Sequence, residues 1–413
     1  MRSRFFIPVI LAIMVVLDIY VFQAVRASVS PQSPRLRAAV LILYGLVAVG
    51  CWVTVVSLPY WRAPEAHRSF RLIVITLVMA LYLGKLIASV FLIIDDLRRG
   101  GVWFYSLFSG PRGTAAAGQG ISRSVFLSRL GLLMGGTLLA TLIYGFSNKY
   151  DYKVRRVRVR APKLPEAFRG LKILQVSDIH SGSFDNFQKV ARGVDMMMAL
   201  KPDVIFFTGD LVNDRATEME GYQELFSRLR APMGVYSILG NHDYGDYVQW
   251  PSAEAKARNL QRLKDIQAAM GWKMLNNAHV ILERGSQRIA VLGVENWSAK
   301  ARFPKYGDLA RAYAGTEDVP YKILLSHDPS HWDAQVRTQY PDIDLMLAGH
   351  THGMQFGVEI PGIKWSPIQY AYPEWAGLYR EGSQYLYVNR GYGFLGYPGR
   401  VGILPEITLI ELG

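Results

Sequence analysis

Two hydrophobic patterns divide the chain. Up to about residue 146, apolar residues run in long blocks at 5–25, 38–60, 72–94 and 125–146. Each block approaches or exceeds the roughly 20 residues that cross the apolar core of a bilayer, so four transmembrane helices are predicted. The first reads as retained rather than as a cleaved signal peptide, because three further spans follow it and no small-residue cleavage site stands before Gln32. From about Leu171 the apolar runs shorten and alternate with helical stretches. Strands are expected at 172–176, 203–208, 234–239, 288–292, 321–325 and 344–348. Phe187, Val190, Val194 and Met197 share one helical face, as do Leu260, Leu263, Ile266 and Met270. On the first of these helices the run Met196 to Met198 reads as helix-on-sheet packing. Short apolar runs alternating with amphipathic helices are the mark of an α/β domain. The resulting organisation is a membrane domain over 1–148, a basic linker and first strand over 149–170, and an α/β domain over 171–413.

Composition changes this picture little. Half of the chain is hydrophobic, and the net charge of +13 is largely what a multi-pass protein carries at the ends of its spans. Elsewhere Lys and Arg are interleaved with acids, so the expected partner is the lipid bilayer and not nucleic acid. The single cysteine, Cys51, lies in an apolar stretch, which excludes an intrachain disulfide and suits a small buried residue. Three ionisable residues fall within the spans. Asp18 and Arg129 lie near span ends and read as snorkelling side chains. Lys85 is more central and reads as one half of an ion pair within the bundle, with a functional role as the alternative. Gly131, Gly135 and Gly136 have spacings that allow close helix packing.

The two indicators of sidedness oppose each other. Arg2, Arg4, Arg62, Arg68 and Arg71 flank one side of the spans, and Arg26, Arg35, Arg37, Arg98, Arg99, Arg112 and Arg123 the other. The α/β domain falls in the cytoplasm only if Lys153, Arg155, Arg156, Arg158 and Arg160 are counted with the first group. That run alternates with Val154, Val157 and Val159 and reads partly as an edge strand. Against it, the run from Ser122 through Arg123 to Ser128 resembles an export signal that has lost its second arginine.

Chemistry gathers at strand ends. Five of the expected strands are followed by potential ligands: Asp178 and His180; Asp210; Asn241, His242 and Asp243; His327 and Asp328; His350 and His352. In an open α/β sheet the strand carboxyl ends line one crevice, so these loops should converge. Asp178 and His180 are two positions apart, as are His350 and His352, and in extended chain such pairs project to one side. Glycines at 209, 240, 349 and 353 would let the backbone turn beside them. Carboxylate and amide oxygens mixed with imidazoles suit Mn²⁺, Fe²⁺ or Zn²⁺ better than Ca²⁺ or Mg²⁺. One ion would leave ligands unused, whereas two divalent metal ions would use them all and would serve phosphoryl transfer.

The series Asp-x-His, Gly-Asp, Gly-Asn-His-Asp, His and Gly-His-x-His resembles the calcineurin-like metallophosphoesterase family, with every block present in order across nearly all of 171–413. Ser181-Gly182 and Pro405-Glu406-Ile407 further resemble its bacterial membrane-linked branch, which includes phosphodiesterases and relatives of UDP-2,3-diacylglucosamine pyrophosphatase. The resemblance implies a sandwich of two mixed sheets flanked by helices. It also implies roles: Asp178, His180 and His352 on one ion, Asp210 bridging, and Asn241, His327 and His350 on the other. His242 would protonate the leaving oxygen, oriented by Asp243, which agrees with the need for an acid that titrates near neutrality. Asp328 and His331 read as loop structure, and Asn213 and Asp214 equally as outer support of the metals or as turn formers.

The substrate is less constrained. Tethering to a bilayer suggests a phosphodiester or pyrophosphate that is lipid-linked. Trp365, Tyr370, Tyr372, Trp375 and Tyr379 read as packing of C-terminal strands, with an aromatic lip as the alternative. Arg390 and Arg400 read as phosphate clamps or as surface charges. A membrane receptor or scaffold whose phosphate-binding domain has lost catalysis is the competing class, opposed by the intact ligand set.

Overall fold

The computed structural model describes residues 3–61, 68–108 and 123–413, in two compact units, Met1–Tyr144 and Gly145–Gly413. Of the positions used above to judge sidedness, Arg2, Arg62, Arg112 and Ser122 lie outside the described residues.

The first unit is built from α1 (Ser3–Val29), α2 (Pro34–Ser57), α3 (Arg68–Phe108) and α4 (Val125–Gly145), four helices long and apolar enough to cross a membrane. Ser33 caps α2 by accepting the Leu36 N–H, and Pro34 follows where no amide donor is needed. α3 outruns its expected span of 72–94. Asp95 and Asp96 pair with Arg98 and Arg99 one turn on, each at 2.9 Å, so the polar turn remains helical. Gly84 and Gly131 with Gly135 bring α3 and α4 into contact: a Cβ on Gly84 would stand 2.7 Å from the Gly135 carbonyl oxygen, and one on Gly131 2.9 Å from that of Ala88. Gly136 faces open space. Cys51 is buried.

Asp18 does not snorkel. It is 4% exposed and forms a buried ion pair with Lys85. Its carboxylate also accepts the Trp52 indole N–H at 2.8 Å and the Tyr82 hydroxyl at 2.5 Å, and the Lys85 ammonium lies 4.4 Å from the Tyr82 ring centre. A charge pulled inward by an opposite charge and two donors is better satisfied there than at a distant headgroup. Lys85→Met strands the Asp18 charge and is expected to destabilise the unit by about 3–5 kcal/mol. Asp18→Asn with Lys85→Met keeps an acceptor for Trp52 and Tyr82 and should recover most of that loss, as read from the temperature at which the detergent-solubilised protein ceases to be monodisperse.

The second unit has strands β1 (Lys153–Val159), β2 (Lys172–Val176), β3 (Val204–Phe207), β4 (Val235–Ser237), β5 (Lys273–Met274), β6 (Ala278–Arg284), β7 (Gln287–Gly293), β8 (Lys322–Leu325), β9 (Leu345–Ala348), β10 (Val358–Ile360), β11 (Ile363–Trp365), β12 (Gly377–Glu381), β13 (Gln384–Val388) and β14 (Glu406–Leu412). One sheet runs β1-β14-β2-β3-β4-β5 and the other β12-β13-β9-β8-β7-β6, with β10 and β11 as a separate hairpin. Both large sheets are mixed. β2, β3, β4 and β5 are parallel, with β14 antiparallel to β2. In the other sheet β7, β8, β9 and β13 are parallel, with β6 and β12 antiparallel at the edges. The basic run after α4 does form an edge strand, β1, paired with the last strand of the chain.

The period-two pattern of the strands produces three layers of core. Ile173, Val204 and Phe206 meet Ile323, Leu325, Leu345 and Leu347 between the sheets. Leu174, Val176, Ile205 and Phe207 point the other way, onto Val190, Val194 and Met197 of α5 (Phe187–Ala199) and onto Leu263. The four-residue helix α6 (Gln223–Phe226) adds Leu225 and Phe226 to this layer, and Leu263 belongs to α7 (Ala253–Ala269). Ala290, Leu292, Leu324 and Met346 cover Leu309 and Ala312 of α8 (Leu309–Tyr313). Each fully buried Leu, Ile or Phe contributes about 1.5–3 kcal/mol, which leaves the loops at the strand ends free to be shaped by chemistry. Those loops leave from two sheets, three from the first and two from the second. The two mixed sheets implied by the resemblance are present, and the crevice expected at the carboxyl ends of one open sheet is shared between them.

Candidate metal centre

β2, β3, β4, β8 and β9 are each followed by a loop that delivers side chains to one place. The loops are not extended. Asp178, His180, Asp210, His350 and His352 all have φ between 49° and 70°, in the left-handed region that costs a non-glycine residue about 1–3 kcal/mol. They make up five of the nine non-glycine residues with positive φ among the described residues. Asp178 and His180 reach one group of ligands, as their spacing leads one to expect, but through left-handed and not extended backbone. His350 and His352 diverge, and reversals of backbone hand do the aiming.

Two groups of side chains that could hold a metal ion result, Asp178 with His180 and His352, and Asp210 with His327 and His350. Asp210 Oδ2 stands 3.5 Å from His180 Nε2 and 3.1 Å from His327 Nε2, one from each group. His352 Nε2 is 3.2 Å from Asp178 Oδ1. Two ligands each about 2.1 Å from one ion, at angles of roughly 90–109°, are about 3.0–3.4 Å apart, so these spacings suit shared ions. The Nε2 atoms of His180, His327 and His352 are buried without a hydrogen-bond partner, a costly condition unless a cation is their partner. Asn241 contributes an oxygen: Oδ1 lies 2.8 Å from His350 Nδ1, while its amide nitrogen turns away to donate to the Tyr247 hydroxyl at 2.9 Å.

The electrostatics agree. Burial would raise both carboxyls, but His352 beside Asp178 and His327 beside Asp210 hold them well below the usual range. Burial pushes His180 down to about 3, keeping its imidazole neutral and fit to ligate. Burial would lower His327 as well, yet Asp210 raises it to about 10. A proton held so firmly marks a position that calls for positive charge, and a divalent ion supplies it.

Hydrogen bonds behind the groups fix the imidazoles. His327 Nδ1–H donates to the Thr208 carbonyl at 2.7 Å. His180 Nδ1–H donates to Asn213 Oδ1 at 3.0 Å, and Ser183 Oγ accepts the Asn213 amide N–H. His350 Nε2–H reaches the Tyr372 hydroxyl at 3.0 Å, which donates to Asp328 at 3.2 Å. Asp328 thus supports the site as well as its own loop, where it accepts the Ser330 N–H. His331 is loop structure, as expected, bonded to Ser326 and Gln335 and stacked on Trp297.

His242 lines the cavity in front of both groups. Its Nδ1–H donates to the Asn213 carbonyl at 2.7 Å and its amide to Asp210 Oδ1 at 2.8 Å. Asp243 does not orient this ring. Its two oxygens accept the amides of Asp210, Leu211, Val212 and Gly240, clamping the loop that carries Asp210. The adjacency in sequence misleads because the two side chains leave a tight turn in different directions. Asn213 accepts from both imidazoles, from His180 through its side chain and from His242 through its carbonyl.

A cavity of about 510 Å³ opens over the groups, with Lys300, Arg302, Phe303, Ile368, Tyr372 and Leu395 in its lining. The two cations were missed in the sequence, although they follow β7 at the same sheet end as the β8 and β9 ligands. Arg390 and Arg400 are neither clamps nor surface charges. Arg390 is 2% exposed and pairs with Glu406 and Glu359, each at 2.6 Å. Arg400 is fully buried and donates to the Gly391 and Gly393 carbonyls. The aromatic segment divides: Tyr372 enters the cavity, Trp375 is buried and Tyr370 is exposed.

Gly349 is required by space. A Cβ there would lie 2.0 Å from Ser177 Oγ and 2.2 Å from Asp178 Oδ2. Gly349→Ala must push Asp178 away and is expected to abolish metal retention by the first group. Metal content of the purified variant by elemental analysis, beside an unchanged far-ultraviolet circular dichroism spectrum, checks this.

Residues 2–149 match a family model described as "Probable Calcineurin-like phosphoesterase, transmembrane domain", and residues 171–354 one described as "Calcineurin-like phosphoesterase". The metallophosphoesterase YkuE of Bacillus subtilis, itself uncharacterised, is 30% identical over 301 residues, covering 71% of this chain and 98% of that protein. A transmembrane protein with a metallophosphoesterase domain from Danio rerio is 32% identical over 278 residues, covering 65% of this chain. The match spans 60% of that relative's length. The UDP-2,3-diacylglucosamine pyrophosphatase LpxG of Chlamydia trachomatis is 29% identical over 290 residues, covering 58% and 83%.

Proposed function

Because the chain belongs to the calcineurin-like phosphoesterase family, we propose that it hydrolyses a phosphodiester or pyrophosphate linked to a lipid, with a dinuclear centre at the two side-chain groups described above. It is a multi-pass membrane protein and a metallophosphoesterase. Asp178, His180 and His352 would hold one divalent ion and Asn241, His327 and His350 the other, with Asp210 within reach of both groups. The carrying observation is Asp210 Oδ2, set within reach of imidazoles from both groups.

Bound divalent ions supply Lewis acidity toward phosphoryl oxygens and activate water for attack on phosphorus. The chain supplies the rest. His242 keeps its Nδ1 proton on the Asn213 carbonyl, so Nε2 is the atom that passes a proton to the leaving oxygen. Asp243 holds the Asp210 loop rigid through four amides. Phe303, Ile368 and Leu395 add apolar surface to the cavity lining, which suits an amphiphilic substrate.

Chelation should reduce hydrolysis of bis(p-nitrophenyl) phosphate by the detergent-solubilised protein to background, and Mn²⁺ should restore it. Turnover that survives exhaustive chelation would sink the two-metal reading.

A further inference from the structure

We infer that Lys300 and Arg302 form a subsite for a second anionic group of the substrate, one that sits beside the scissile phosphoryl group and is not itself hydrolysed. This rests on the proposed phosphoesterase reading and deepens it to a pair of specificity-determining residues.

The loop that follows β7 is a built element. Its base is closed by the Asn296 carbonyl, which accepts the Tyr306 and Gly307 amides at 2.8 and 3.1 Å, and by the Asn296 amide group, which donates to Pro304. Ser330 Oγ accepts the Ala299 N–H at 3.0 Å, pinning the loop one residue before Lys300. From this support Lys300, Arg302 and Phe303 line the cavity. The Lys300 ammonium lies 5.3 Å from the centre of the Tyr372 ring, whose hydroxyl is 3.0 Å from His350. The Phe303 ring is 4.8 Å from that of His350. The cations therefore stand beside the group that contains Asp210, His327 and His350.

Their charge is spare. Arg390 is consumed by buried carboxylates and Arg400 by carbonyl oxygens, whereas neither Lys300 nor Arg302 has a carboxylate within ion-pair distance among the described residues. Two divalent ions set against Asp178, Asp210 and the nearby Asp328 would leave a single positive charge, which a singly charged phosphodiester already balances. Two further cations over the same cavity are stabilised by a substrate with additional negative charge close to the reacting phosphorus. Charge-assisted contacts of this kind change affinity by about 10- to 100-fold.

The test compares ligands that differ by one phosphate. Isothermal titration of the full chain with UDP and with UMP should show that Lys300→Ala with Arg302→Ala loses tenfold or more in UDP affinity, and at least threefold less in UMP affinity. In turnover, kcat/KM on UDP-N-acetylglucosamine should fall about ten- to 100-fold more than on bis(p-nitrophenyl) phosphate, and the exchange Lys300→Arg with Arg302→Lys should restore much of the difference. Equal losses on both ligands and both substrates, or no loss on any, overturn the inference. A wild-type protein that prefers UDP in titration yet hydrolyses nothing would instead break the functional proposal and leave the subsite standing.

Discussion

Exchange of Asp210 for asparagine is expected to remove hydrolysis almost completely, by about 10³-fold or more, and to lower bound metal on both sides of the centre. The reason is the double use of one small carboxylate. Oδ2 faces His180 Nε2 and His327 Nε2, while Oδ1 accepts the His242 amide. An asparagine has one acceptor oxygen. If that oxygen keeps the His242 amide, an NH₂ group points at the imidazoles of both groups; if it turns to them, the His242 amide meets a donor. Either way the charge proposed to bridge the two groups is gone, and a loss of several kcal/mol in charge stabilisation converts to that thousandfold. Elemental analysis separates this outcome from a general failure to fold. Asp210→Asn should retain its circular dichroism while losing metal, and a variant that kept both metals and its activity would remove Asp210 from the bridging position.

The same residue shows what could be read in the sequence and what could not. Asp178, His180, Asp210, Asn241, His327, His350 and His352 could be singled out because each lies in the short loop that follows an apolar strand. The strands were legible because their burial on both faces leaves runs such as Lys-Ile-Leu-Gln-Val and Val-Ile-Phe-Phe. Their division into two groups was legible only through resemblance, since it depends on left-handed backbone at five positions, a conformation that only glycine announces in sequence. Asp243 was misread for a related reason. Its partners are backbone amides, and a backbone donor has no residue identity to notice. Arg390 with Glu359 and Glu406, and Asp18 with Lys85, are pairs between residues far apart in the chain. A charge pattern read along the sequence names no partner, so Asp18 reads as a snorkel and Arg390 as a clamp or a surface charge, while Lys85, central in its span, reads as half of the ion pair that it forms. Lys300 and Arg302 were overlooked because no ligand motif accompanies them. Their position became meaningful once β7 was seen to lie parallel to β8, which sends its loop to the same edge as the ligands.

Removing the His242 side chain should have an effect that depends on the leaving group, and that dependence is the more informative measurement. General acid catalysis contributes typically 10²–10⁴-fold, but only where the departing oxygen needs a proton. p-Nitrophenolate leaves readily without one, whereas an alkoxide does not. His242→Ala should therefore cost about 10³-fold on an alkyl phosphodiester and far less on bis(p-nitrophenyl) phosphate, while metal content stays near that of the wild type, because the ring lies in front of the ligand groups and is in neither of them. Asn213→Ala predicts a related but distinct result. The carbonyl that holds His242 Nδ1 belongs to the backbone and survives the change, whereas the side-chain oxygen that holds His180 Nδ1 is lost. That variant should weaken metal binding by about 10- to 100-fold and leave the leaving-group dependence as it was. Equal losses on alkyl and nitrophenyl esters in His242→Ala would assign His242 to holding the phosphoryl group and not to proton transfer. The Asn213 carbonyl would then serve to fix that contact.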